Sequence, residues 1–285
     1  KFAISCSSGT SAIHLALMSI NLKKGDNIII PSINFVAAAN ISKLIGANIY
    51  LADVNPHTGQ SSPKDIYDCY IKNKIKKLKA FFSMYNGGAP NDVKKFFDLK
   101  KKLNCYFIED ACHALGSKYS IKKNEIVGNC KKSDICIFSL HPVKSITTGE
   151  GGVLCTNSEK IFRSASNLKN LGIVRKKSTK KKLNWSYNIN SYGLNYRLSD
   201  LNCALGLTQL KKLNFFILKR KKIADNYTRC FKKYSKYIST PVKNSDVSSA
   251  WHLYIIRLNL KELRIDRNKF MNLLHKYNIG TQVHY

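Results

Sequence analysis

Acidic residues are scarce in this chain. Seventeen Asp and Glu stand against 48 Lys and Arg over 285 residues, a formal net charge of +31. Such a charge raises the question of nucleic acid or an acidic surface as partner. The excess is spread along the chain, is carried mainly by Lys, and lacks the Arg and aromatic interleaving of a base-stacking surface. It reads as a solvated basic surface, so no nucleic acid partner is expected. A phosphate-bearing substrate would still gain in encounter rate. No apolar run approaches the roughly 20 residues of a membrane span, and no signal peptide is visible, so no membrane partner is expected. The nine cysteines include no C-x-x-C pair, and their number is odd. Both facts argue against a zinc ribbon and a disulfide framework, and no metal site is expected. Cys105, Cys136 and Cys155 lie in apolar segments, where a thiol behaves as a small hydrophobe. A reducing cytoplasm fits that usage. No internal repeat is present. An opening Met is missing too: the chain starts "KFAISCSS" and stops on "GTQVHY" with no polar tail. Both ends read as the interior of a folded unit, so the expectation is a fragment truncated at both ends.

At 44% hydrophobic, the chain can bury a real core. Strand-like segments appear at "NIII" (27–30), "NIYLAD" (48–53), "KAFFSM" (79–84), "CYFIED" (105–110), "DICIFS" (134–139) and "GGVLC" (151–155). Helical patterns follow at "SAIHLALMSI" (11–20), "FVAAANISKLIG" (35–46) and "PNDVKKFFDLKKKL" (90–103), the last opening on Pro90 and Asn91. This alternation predicts an α/β fold with a mostly parallel central sheet over 1–198. From Ser199, a helix cap, the texture changes to one long helix. A strand over 250–260 and a helix over 267–280 then complete the pattern of a smaller, incomplete C-terminal α/β domain, 199–285. The stretch 175–193 is the most loop-like.

Ligands of such sheets sit beyond the carboxyl ends of the strands. Four features fall there. "SSGTSA" (7–12) opens a helix with small residues, suiting a phosphate, though an ordinary capped helix reads the same way. Asp110 closes a strand ahead of His113, and it could simply cap the next turn. Ser139 ends another strand, and Lys144 follows five residues later in "SLHPVKSITTGEGG". A phosphate cradle, a strand-end Asp and an isolated Lys together suggest pyridoxal 5'-phosphate. The Lys amine would form a Schiff base, and the Asp would hold the pyridine nitrogen protonated. On spacing alone, one more surface lysine remains the open alternative. The stretch Thr147 to Gly152 would let the backbone pass close to the cofactor, and Gly suits such approaches.

"SSGTSAIHLALMSINLKKGDNIIIPSINFVAAAN", "IEDACHALGS", "FSLHPVKSITTGEGGVLCTN" and "YGLNYRLSDLNCALGLTQLKKL" closely resemble the DegT/DnrJ family of sugar-nucleotide aminotransferases. The resemblance covers nearly the whole chain and implies the fold of a fold type I PLP-dependent transferase. Within the family, "HPVKSITTGEGG", "ALGLTQL" and "TQVHY" look most like the branch making a 4-amino sugar for pseudaminic acid. By size, about 50 N-terminal and 80 C-terminal residues of such an enzyme would be missing, some of which shape the sugar pocket. The resemblance implies Lys144 as the Schiff-base lysine and Asp110 as the partner of the pyridine nitrogen. It implies His113 beside the ring hydroxyl, Phe35 stacked on the ring, and Thr10, Ser11 and Ser139 on the phosphate. Asn195 would reach the cofactor phosphate of a neighbouring subunit, which implies a homodimer with shared active sites. The implied substrates are a UDP-sugar and L-glutamate. "SMYNGG" (83–88) departs from the family at Met84, so Tyr85 and Gly87 receive no role. A sister branch that removes a sugar hydroxyl carries His at the Schiff-base position, and Lys144 argues against it. Another keto-sugar nucleotide, or a non-catalytic basic binding protein, stays open.

Overall fold

In the computed structural model, which describes residues 1–91, 93–174, 186–242 and 245–285, alternating apolar side chains build a sheet buried on both faces. Ile28 and Ile30 of β2 (Asn27–Pro31) join one core with Ile4 of β1 (Phe2–Cys6), while Ile29 joins the opposite core. The sheet continues through β3 (Asn48–Ala52), β4 (Leu78–Met84) and β5 (Tyr106–Asp110). β6 (Lys118–Ser120) and β7 (Glu125–Ile126) form a separate hairpin, and β8 (Ile135–Ser139) and β9 (Gly152–Thr156) return to the sheet. Its strand order is β1-β9-β8-β5-β4-β2-β3. The run from β8 to β3 is parallel throughout, and β9 lies antiparallel to both β8 and β1. Near-continuous apolar strands such as "NIII" are what burial on both faces requires. Each fully buried Ile contributes about 1.5–3 kcal/mol relative to exposure.

Local chemistry starts the helices. α1 (Gly9–Ser19) opens on a capping box between Ser8 and Ser11. α2 (Ala37–Ile45) stops at Gly46, whose φ of 88° suits a residue without Cβ. α3 (Pro63–Lys72) opens on a Ser62–Asp65 box with Pro63 in its first turn, and α4 (Val93–Leu103) follows β4. α5 (Glu159–Lys169) follows β9. The cores place α1, α2 and α5 on one face and α3 and α4 on the other. α6 (Asp200–Phe231) is 32 residues long and is capped by Ser199, as the sequence predicts.

Four expectations change. β1, α3 and α5 are absent from the sequence reading. β1 lies in the segment read only as the interior of a fold. α4 begins after Pro90 and Asn91, which lie outside it. The strand expected over 250–260 shrinks to Arg257–Leu258, because Trp251 turns the chain with a φ of +50°. The loop expected over 175–193 lies outside the described residues for 175–185, and Asn188–Ile189 pairs with Ile173–Val174. No helix among the described residues is long and apolar enough to cross a membrane.

Candidate active site

The parallel strands deliver their carboxyl ends to one edge of the sheet, and the chemistry gathers there. Asp110 ends β5 and Ser139 ends the adjacent β8. β1, parallel to β8 through the reversed β9, feeds α1 at the same edge. α1 approaches Ser139 so closely that a Cβ on Gly9 would lie 3.0 Å from the Ser139 Cβ. The N-terminal amides of α1, the exposed Thr10 and the Ser139 hydroxyl therefore share one small space. Ser11 is less free: its hydroxyl accepts from Ser8 N at 2.8 Å and donates to Ser8 O at 2.8 Å.

Lys144 sits half-buried in the loop between β8 and β9. The loop is tied across its base, Leu140 N donating to Gly151 O at 2.8 Å and Thr148 N to Leu140 O at 3.0 Å. Lys144 N itself donates to His141 O at 2.9 Å. Two glycines of this loop occupy crowded positions. A Cβ on Gly151 would meet Thr148 Oγ1 at 2.2 Å, and one on Gly152 would meet Ser8 O at 2.1 Å. They make room for the loop itself and for the capping turn of α1. A cleft of about 450 Å³ separates this loop from α6, lined by Pro142, Lys144, Thr147, Gln209, Arg220 and Ile223.

Asp110 is buried, and Cys112 N donates to its Oδ1 at 3.1 Å. Burial pushes its carboxyl above the ordinary Asp value; Cys112 and the Lys144 ammonium pull the other way. His113 is buried beside it. Gly87 N donates to His113 Nδ1 at 3.4 Å, so the ring proton belongs on Nε2, which lies 3.1 Å from Tyr285 Oη. Phe35, 53% exposed, reaches the same group: its ring is 6.0 Å from that of Tyr285. Asn195 is exposed on the loop before α6; its backbone pairs with Asn170, and Tyr196 O accepts from Ser7 N at 3.0 Å. The loop therefore lies against the end of β1.

The structure thus brings Lys144, Asp110, His113, Ser139 and the α1 N-terminus to one edge, with Phe35 near it and Asn195 exposed on the loop before α6. Sequence reasoning missed the group that closes round His113. His252 stands 4.3 Å from its ring, His284 5.6 Å and Tyr285 6.0 Å. "SMYNGG", left without a role, supplies the Gly87 amide. Its Tyr85 donates to the buried Glu109, as Tyr119 does, which anchors the segment under the sheet. No periodicity could reveal these long-range meetings.

A model of the DegT/DnrJ/EryC1/StrS aminotransferase family matches residues 1–285. The chain belongs to this family. It is 36% identical over 285 residues to a UDP-4-amino-4,6-dideoxy-N-acetyl-beta-L-altrosamine transaminase of Campylobacter jejuni, covering 100% of this chain and 72% of that protein. Among solved structures it resembles PseC of Helicobacter pylori, an aminotransferase of pseudaminic acid biosynthesis. The TM-score is 0.86 at 31% identity, covering 100% of this chain and 72% of that one. It also resembles Spr1654 of Streptococcus pneumoniae, assigned as a sugar aminotransferase and solved in a PMP form. Here the TM-score is 0.86 at 26% identity, covering 99% of this chain and 74% of that one. As a DegT/DnrJ/EryC1/StrS aminotransferase, the protein is a pyridoxal-phosphate enzyme. Its residues fit that cofactor: a space at the α1 N-terminus that a Cβ on Gly9 would fill, a buried carboxyl, and an amine on a tied loop.

Proposed function

We propose that this aminotransferase moves the amino group of L-glutamate to the 4-keto carbon of a UDP-linked 4-keto-6-deoxy-N-acetylhexosamine. The products are 2-oxoglutarate and a 4-amino sugar for pseudaminic acid-type glycans. The observation that carries the reading is Lys144 on its tied loop at the strand edge that also holds Asp110. The 36% identity to the altrosamine transaminase supports the choice of substrate.

When bound, pyridoxal phosphate supplies an aldehyde that condenses with amines and a ring that accepts an electron pair. Asp110 would hold a proton at the ring nitrogen; among the groups present, Cys112 and the Lys144 ammonium oppose the effect of its burial. The α1 amides, Thr10, Ser11 and Ser139 would hold the phosphate. His113 would stand beside the ring hydroxyl, and Phe35 would pack on the ring. Lys144 Nζ takes the proton from the α-carbon of glutamate and later delivers one to C4 of the sugar. Asn195 reaches the phosphate in a second copy of the chain, so the working unit is a homodimer with shared sites. The exposed Leu201, Leu207, Leu210 and Phe215 on α6 support that assembly. The nine cysteines, all free, support a cytoplasmic setting.

Borohydride reduction of the cofactor-loaded protein followed by peptide mapping tests the assignment. The cofactor should be found on the peptide carrying Lys144. A label on any of the many other lysines sinks it.

A further inference from the structure

Trp251 has a φ of +50°, a conformation that bulky residues rarely adopt. Hydrogen bonds on both sides hold it there. Ala250 N donates to Ser117 Oγ at 2.8 Å and Leu253 N to Gly87 O at 3.3 Å. Arg220 Nη1, from α6, donates to the carbonyls of Trp251 and His252 at 3.3 and 3.1 Å. The turn breaks the expected strand and sets the His252 ring 4.3 Å from that of His113. His252 is only 8% exposed, and its Nδ1 is buried without a hydrogen-bond partner. An unpaired buried nitrogen is unfavourable, and so is a strained backbone. Both fall on neighbouring residues at the edge of the site. Strain kept in such a place points to a ligand.

The surrounding charge narrows that ligand. Burial first, then Lys144, Arg220 and His284, bring His252 down to about 3, so its ring is neutral. A neutral N–H donor in a positive field suits an anion. The C4 carbonyl of a keto sugar is uncharged, and the diphosphate of its nucleotide is separated from C4 by the sugar ring. The carboxylate next to the reacting carbon of an amino acid carries its charge where Lys144 works.

We propose that His252 binds the carboxylate of the amino donor beside Lys144. The inference rests on the aminotransferase reading above. The test uses the cofactor-loaded protein with His252→Ala and His252→Gln. The visible absorbance band of the bound cofactor reports the underlying reading. Its change on titration with L-glutamate, and with unreactive glutarate, reports the proposal. Both variants should keep the band. The Ala variant should bind both acids roughly 10- to 100-fold more weakly, as expected for a lost hydrogen bond to a charged group. The Gln variant, which can still donate an N–H, should recover most of the affinity, and UDP should bind all three proteins alike. An Ala variant that keeps the band and the unaltered affinity for both acids overturns the proposal. Loss of the band in both variants also overturns it, because His252 would then hold the cofactor. A parent protein with no band overturns the aminotransferase reading and this proposal with it.

Discussion

At His252, burial and two cations bring an imidazole down from its ordinary 6.5 to about 3. His113 is pushed lower still, by burial first, then by Lys144 and by His252 and His284. Both rings are therefore neutral when folded and take a proton readily once unfolded. Below 6.5 the unfolded chain binds more protons than the folded one, so stability falls as pH falls. For His252 the loss runs from 6.5 down to about 3, where the folded ring also takes its proton. Each pH unit in that window costs about 1.4 kcal/mol per imidazole held neutral. Unfolding by urea at about pH 6.5 and about pH 4.5 should show it. In His252→Gln the drop between the two should shrink by roughly 2–3 kcal/mol. An unchanged drop would mean that His252 is charged or exposed in the folded state. At this scale the sequence was only partly legible. Lys144 and Asp110 stand out because they punctuate strand ends. His252 does not, since the groups acting on it come from residues 113, 144, 220 and 284 and no local pattern marks it.

The elements explain why the Lys144 loop is built as it is. β9 starts at Gly152, directly under the cap of α1. A methyl group there would meet the backbone of Ser8 and Gly9, at 2.1 Å from Ser8 O and 2.8 Å from Gly9 N. Backbone held by a capping box and a sheet cannot move aside as a flexible side chain can. Gly152→Ala should therefore destabilise the protein by about 2–4 kcal/mol in urea unfolding. Gly149 is the control: its φ is 77°, and a Cβ there meets nothing within 4 Å. Gly149→Ala should cost only about 1 kcal/mol, from backbone strain alone. Equal losses would place the crowding elsewhere. The element pattern was the most legible level, since strands buried on both faces read as apolar runs and small capped turns mark helix starts. α3, α5 and β1 escaped although their lengths match those of elements that were read; α3 and α5 carry charged and polar residues through most of their turns, and β1 mixes buried with half-buried and exposed positions. The strand after 250 failed for a different reason, a turn at Trp251 imposed by contacts from distant parts of the chain.

The whole molecule leaves one long element without cover. α6 has 32 residues, and Ala224 is its one buried residue. Leu201 is 84% exposed and Leu218 66%. Monomers seldom leave so large an apolar stripe to water. The loop that precedes α6 leaves Asn195 exposed, although Tyr196 pins the same loop to the end of β1 through Ser7 and, at 2.9 Å, to α1 through His14. An exposed side chain on such a loop can serve a site in a second copy. It can equally stabilise its own turn, as asparagine often does. Mixed dimers separate the two. Lys144→Ala chains are combined with Asn195→Ala chains, each inactive or weak alone. If sites are shared, one site of each mixed dimer carries both lesions and the other carries neither. Up to about half of the parent activity per dimer should then return, by counting sites in a twofold assembly. If Asn195 serves its own chain, every site carries one lesion and mixing restores nothing.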